Sequence, residues 1–455
     1  MLELLLAAFL GQQPAALDYD FYKARVQPLF LEKRDGHARC VTCHGGSTTL
    51  RLQRLPEGAT GWTEEQTRQN FEAAQAMVVP GSPGASKLLR HPLARAAGGD
   101  SFHGGGQHWT TKSDPDWKVL EAWVNGDSLA AYTKRTTATR LPRIIQTNAA
   151  GDNVHVIDPV SNKVVGIIND IEVPHGVTAA PDGTRLYFTN ESRETVDVVD
   201  GSTFAIVARV PLSGRPNNIA VSKDGKRVYA GIAQAPGAVD VIDTLTLTRA
   251  KSIAVKGAIH NVYVTPDGKY VVSGSIANRM ITVIDQATEE IAWELQMSSG
   301  IRPMEFEKAV DGSTARIFVQ LSDYHGIAVV DFAQRKEVSR FDTPAIAGET
   351  RHTEGLQGAP MHGFAITPDG KLLLATSKVY STMYAYSLPD LKPVGHVHVG
   401  GHPEWITLSP DGKRAYVAAA GDNAVTVVDT ATLKEIARIP VGQVPKRNGT
   451  ALLLP

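Results

Sequence analysis

The stretch Gly214-Arg215-Pro216-Asn217-Asn218-Ile219-Ala220-Val221-Ser222-Lys223-Asp224-Gly225-Lys226-Arg227-Val228-Tyr229 reads as two short apolar, β-branched runs hinged on Asp224-Gly225. An Asp-Gly pair between such runs is a tight hairpin signal, because the turn needs positive φ and glycine adopts it without steric cost. The same unit recurs through the second part of the chain. Asp-Gly turns fall at Asp182, Asp224, Asp267, Asp311, Asp369 and Asp411, and third-strand endings of the Val-Ile-Asp-Thr type fall at Asp158, Asp200, Asp243, Asp285, Asp331, Ser387 and Asp429. Their spacing is about 42 residues, interrupted by an insertion at 345–360. Seven endings predict seven blades of a β-propeller. Segment 444–454 adds one inner strand, and 143–158 supplies outer strands that lack one. The ring is therefore expected to close by pairing the chain ends, which leaves no long free edge.

The first part of the chain has a different pattern. Apolar residues at helical spacing over 20–30, 64–78 and 115–124 predict helices. The last has Asp114 as N-cap, Pro115 at the first position and Gly126 as its stop, and its Trp117, Leu120 and Trp123 are expected to face the first helix. The expected organisation is a leader at 1–17, a small all-α domain at 18–133 and an all-β propeller at 134–455, an α + β multidomain protein. The apolar run 1–11 followed by small residues reads as a secretory signal without its basic start. No later stretch approaches the roughly 20 apolar residues of a spanning helix, so no stable membrane insertion is expected. With 46 Lys and Arg against 47 Asp and Glu, the formal net charge of -1 gives no basic field for nucleic acid. Neither a phosphate-binding glycine loop nor a Gly-x-Ser-x-Gly elbow is present, which sets aside nucleotide-dependent and serine-hydrolase chemistry.

Both cysteines of the chain lie in Cys40-Val41-Thr42-Cys43-His44. Covalent c-type haem needs two thiols to add to its vinyl groups and an adjacent imidazole for the iron, and this spacing supplies all three. A zinc site would need a second Cys/His cluster, which is missing. The expectation is one haem c on Cys40 and Cys43 with His44 as proximal ligand, and hence export to the periplasm or beyond. The sixth ligand must come from between this motif and the last helix, where Met77, His91, His103 and His108 qualify. Methionine there favours a high potential and histidine a lower one. Phe21-Tyr22 and Trp117-Lys118-Val119-Leu120-Glu121-Ala122-Trp123 resemble the crossed terminal helices of small class I cytochromes c. That resemblance favours His103, in the glycine-rich loop just before the last helix, with Met77 and His108 as alternatives.

Counting seven residues back from each turn aspartate gives His175, Asn217, His260, Met304, His362 and Glu404, with Lys446 from the closing strand. These positions start the innermost strands and should ring one mouth of the central channel, where propellers bind ligands. Neighbouring positions add Arg215, Arg302 and His402, and loops between second and third strands add Tyr324, His325 and Tyr380. The catalytic candidates are His175, His260, His362, Glu404, Arg215, Arg302 and His402. Imidazoles and a carboxylate converging there predict copper, zinc or iron, a second haem or a small anionic ligand, against the plainer reading of a solvated polar rim. The insertion, with His352-Thr353-Glu354, is expected to cover the mouth as a lid.

The repeats resemble the YVTN family of β-propellers over about two thirds of the chain, a resemblance that implies fold more than activity. The whole organisation is similar to propeller nitrite reductases that join haem c to a second haem, but those have eight blades; seven is the number of nitrous oxide reductase and other copper propellers. The expected function is an exported c-type cytochrome acting as an oxidoreductase, exchanging electrons with a soluble redox protein. The alternatives are a non-enzymatic electron-transfer or binding protein with the propeller as docking platform and, third, a lactonase-like hydrolase.

Overall fold

A computed structural model describes residues 16–454 apart from 35, 47, 57, 58, 60, 113 and 139, so the apolar start of the expected leader lies outside the described residues. The chain forms two compact units, the second beginning at Arg140.

The second unit is a seven-bladed propeller of four-stranded antiparallel sheets. Six blades are contiguous in sequence, each running from an innermost strand outward, as in Pro216–Val221, Arg227–Ile232, Ala238–Asp243 and Thr248–Ala254. The seventh joins the chain ends: Pro445–Leu453 is the innermost strand beside Leu141–Asn148, with Leu141 opposite Leu453 and Asn148 opposite Pro445. Two local devices repeat around the ring. At the hairpin turn, Asp224 accepts from the Lys226 amide at 3.0 Å and from Ser222 Oγ at 2.6 Å, and Gly225 takes φ +74°. At the third-strand ending, Asp243 accepts from the amides of Leu245 and Thr246 at 3.0 and 2.9 Å, an Asx turn that starts the outer strand. Ser387 stands where this aspartate would be in the blade after the insertion. Blades cohere through apolar faces shared between neighbours, as where Val154, Val156 and Ile168 pack with Leu186 and Phe188 of the next sheet.

The first unit is helical. A continuous run over 19–31 is α-helical at Tyr19–Phe21, π-helical at Tyr22–Val26 and α-helical again at Gln27–Leu31. Pro28 explains the change, because it has no N–H for the carbonyl four residues back and its ring crowds that carbonyl. Glu64–Gln75 carries a capping box between Thr63 and Gln66. Pro115–Val124 is capped by Asp114, and its Trp123 meets the first helix: Nε1 donates to the Asp18 carbonyl at 3.0 Å and the ring lies 5.6 Å from that of Tyr22. A further helix, Leu129–Ala138, runs past the boundary expected at 133, so the β unit starts at Arg140 and not at 134. Among the described residues no helix is long and apolar enough to cross a membrane.

Candidate functional site

In the helical unit, Cys40–His44 forms a short helix whose side chains open onto a pocket of about 980 Å3, part of it open to solvent. Cys40 is half-buried and Cys43 exposed, and both are free thiols. Burial pushes the Cys40 thiol up. His44 Nδ1 lies 3.1 Å from the Leu50 carbonyl and 2.9 Å from Thr48 Oγ1. A carbonyl only accepts, so Nδ1 carries the proton and the Nε2 lone pair is left for another partner. His103 is fixed in the same way, its Nδ1 lying 2.7 Å from the Gly106 carbonyl. The planes of the two rings are within 14° of parallel and their centroids are 6.2 Å apart.

The other candidates for the sixth position differ. Met77 is buried in the core and lines the pocket. His91 pairs with Asp100 and stacks 6.3 Å from His103. His108 stacks 4.5 Å from His37, and burial brings its pKa down to about 4. Two buried atoms in the pocket wall, His108 Nδ1 and Trp109 Nε1, have no partner.

At the propeller mouth the strand register decides which side chains meet. Pro174, Pro216, Ile259, Ile301, Met361, Pro403 and Pro445 are the equivalent first residues of the inner strands, each opposite the last residue of the next strand. The next residues are His175, Asn217, His260, Arg302, His362, Glu404 and Lys446. Arg302 therefore takes the place that counting back from Asp311 gave to Met304. The inner strand of that blade, Ile301–Lys308, is two residues longer and carries an additional irregularity at Glu307/Lys308, which leaves Met304 buried in the core. Tyr380 is buried, and His325 bonds to Ser377 Oγ at 2.8 Å with its ring tilted against that of Tyr380 at 5.7 Å.

The three histidines do not converge. His175 Nδ1 bonds to Glu191, and burial brings its pKa down to about 4. His260 and His362 meet with their Nε2 atoms 3.5 Å apart. Among the described residues no group of three or more His, Cys, Asp or Glu side chains is arranged to hold a metal ion, so the copper, zinc or iron site expected at the mouth is not formed. Its place is taken by a chain of buried polar groups. Lys378 Nζ lies 2.8 Å from Glu404 Oε1, and Glu404 Oε2 lies 2.7 Å from His362 Nδ1, off the ideal hydrogen-bond direction. His260 Nδ1 accepts from Asn261 Nδ2 at 2.6 Å, so its Nε2 carries the proton toward the Nε2 of His362. His260, His362 and Glu404 thus form a buried polar row in which neither imidazole has a lone pair left for a further partner. Burial holds both imidazoles neutral, His362 down at about 3, while His362 and Lys378 keep Glu404 charged against the cost of burying it.

The insertion packs on the mouth, as expected. The Gln357 carbonyl accepts from Arg302 Nη2 at 2.8 Å, and the His352 amide donates to the Val379 carbonyl at 2.9 Å. Arg351, His352, Glu354, Lys378 and His402 border a cavity of about 860 Å3 between this segment and the ring. Arg215 is the most exposed candidate, 4.0 Å from Glu191.

No protein-family model and no curated protein sequence matches the chain. Solved structures do. Hydrazine synthase of Kuenenia stuttgartiensis is 23% identical with a TM-score of 0.56, the match covering 66% of this chain and 94% of that one. The periplasmic gluconolactonase of Pseudomonas aeruginosa is 17% identical with a TM-score of 0.56, over 69% and 100%. The dihydro-heme d1 dehydrogenase NirN is 15% identical with a TM-score of 0.52, over 85% and 98%. The likeness is one of fold.

Three residues at the mouth were not found by counting back from the turns. Glu191 and Lys378 each follow the last residue of a second strand, the same place in two blades. They are the charged residues among Ala149, Glu191, Ala233, Ile276, Ser322, Lys378 and Ala420 there, so aligning strand ends as well as turns would have exposed them. Arg447 sits one residue beyond Lys446 and is 1% exposed.

Proposed function

We propose that the chain is an exported redox protein in which the helical unit carries haem c and the propeller mouth binds the small molecule that is oxidised or reduced. The observation that carries the haem reading is the near-parallel pair His44 and His103. Two metal–nitrogen bonds of about 2 Å plus the radii of two imidazole rings span roughly the separation seen. Each ring has Nδ1 tied to a backbone carbonyl, the second contact that fixes a ligating tautomer. Cys40 and Cys43 would hold the macrocycle through thioethers and His44 and His103 would hold its iron, with Trp109 Nε1 an unpaired donor in the pocket wall. The haem, when bound, supplies a one-electron relay. At the mouth, the neutral His260–His362 pair and the Lys378–Glu404 ion pair would form a fixed polar wall against which the molecule binds. A protein that only transfers electrons or binds a partner would carry the haem but turn nothing over.

The test is expression in a periplasm equipped for haem attachment, with mass measurement and a reduced-minus-oxidised spectrum. One covalent haem with a low-spin bis-histidine spectrum is expected, and His103→Met is expected to shift the midpoint potential upward. Apoprotein with free thiols under these conditions would overturn the haem reading. A spectrum unchanged in His103→Ala would overturn that axial assignment.

A further inference from the structure

We infer that the propeller channel takes a small organic carboxylate on Arg447. Arg447 comes from the closing strand and is almost wholly removed from water. Its Nη2 donates to Asn217 Oδ1 at 2.8 Å, while Nε and Nη1 have no partner. Its guanidinium lies on the face of Trp405, whose ring centre is 4.2 Å from the guanidinium carbon, and Glu404 and Glu191 act on it through space without bonding to it. A guanidinium cannot shed its charge near neutral pH, and burying one without a counter-charge is unfavourable. The carboxylates nearby are engaged elsewhere, Glu191 by His175 and Glu404 by Lys378 and His362. Lys446, Arg302 and Arg215 add positive charge to the same mouth, so cations outnumber carboxylates there.

The space beside Arg447 suits an organic anion. A cavity of about 760 Å3, part of it open to solvent, runs from Arg447, Trp405 and Asn448 along the inner strands past Ile219, Val262 and Tyr263 to Lys223, away from the ring of His175, His260 and His362. Aromatic and branched apolar side chains accommodate a carbon skeleton, and the open guanidinium N–H groups take carboxylate oxygens. Asn448 Oδ1, also buried and unpartnered, offers an acceptor to a hydroxyl on the same molecule.

This inference concerns the channel beside Arg447 and does not rest on the haem. It is therefore tested by binding alone, on the full chain held in one oxidation state. Acetate, lactate, pyruvate and succinate are titrated by calorimetry and by the shift in Tm, beside phosphate and nitrate. At least one carboxylate is expected to bind saturably and raise the Tm, with affinity at least tenfold weaker in Arg447→Met. A second variant covers failure of that one to fold. Asn217→Asp places a carboxylate on Arg447 from within, so it is expected to raise the Tm without ligand and to abolish the ligand-induced shift. Binding of the inorganic anions only overturns the carboxylate assignment. No saturable binding by the wild type, unchanged affinity in Arg447→Met, or an Asn217→Asp protein that still responds to carboxylate overturns the site.

Discussion

Lys378 and Glu404 are both almost out of contact with water, their side chains 2% and 6% exposed; each favours the charge of the other, and His362 also favours that of Glu404. Removing one partner of a buried pair strands the remaining charge, and the loss then exceeds anything a surface ion pair contributes. Lys378→Met is expected to destabilise the propeller by about 3–5 kcal/mol. The double change Lys378→Met with Glu404→Gln should recover a large part of this, since neither charge remains. Urea unfolding of these two variants and of Glu404→Gln alone measures the coupling directly. If the single and double variants are equally unstable, the pair does not act as a unit.

The elements that carry His362 and Glu404 depend on glycines at the close approach of neighbouring inner strands. Gly363 follows His362 on Met361–Ile366, and a Cβ there would stand 2.7 Å from the Glu404 carbonyl and 2.9 Å from Thr376 Oγ1. Gly363→Ala therefore has to push the two strands apart, which moves His362 off Glu404. The expected result is a folded propeller with Tm lowered by several degrees and a mouth that binds its ligand at least tenfold more weakly; unchanged binding would mean that the alignment of these strands does not matter. The blades themselves were legible because each repeats an Asp-Gly turn and an Asx ending, features fixed by backbone hydrogen bonds at i+2 and i+3. The mouth was less so. Register counted from a turn holds only while the intervening strand has constant length, and two additional residues in Ile301–Lys308 moved the assignment from Arg302 to Met304. Arg447 was missed for a different reason: from the sequence Lys446 and Arg447 are adjacent cations, and only packing tells which is buried. The helix Leu129–Ala138 has weak apolar periodicity, so nothing in its sequence marked it as an element.

Taken as a whole, the propeller keeps a set of histidines neutral inside its ring. His175, His325 and His362 have folded pKa values of about 4, about 4 and about 3, all lowered by burial from an ordinary value of 6.5. Between pH 6.5 and those values the unfolded chain binds more protons than the folded one, so stability is complete above pH 6.5 and falls as the pH drops through that window. Glu191 and Glu404 act in the same direction at lower pH: burial opposes their charge, but their cationic and imidazole neighbours outweigh it and hold both below the usual carboxylate range. The Tm of the propeller transition is expected to fall by at least about 5 °C from pH 7 to pH 4.5. Differential scanning calorimetry across that range checks it, and a flat profile would show that these imidazoles are reached by protons without unfolding. The closing sheet has one further consequence, a mechanical one. Leu141 and Leu453 stand opposite each other at the same end of that ladder, so tension applied between Arg140 and Leu454 loads the hydrogen bonds one after another, like a zip, and not all together in shear. A ring that resists heat as a single body would therefore yield to a small force applied at its two ends.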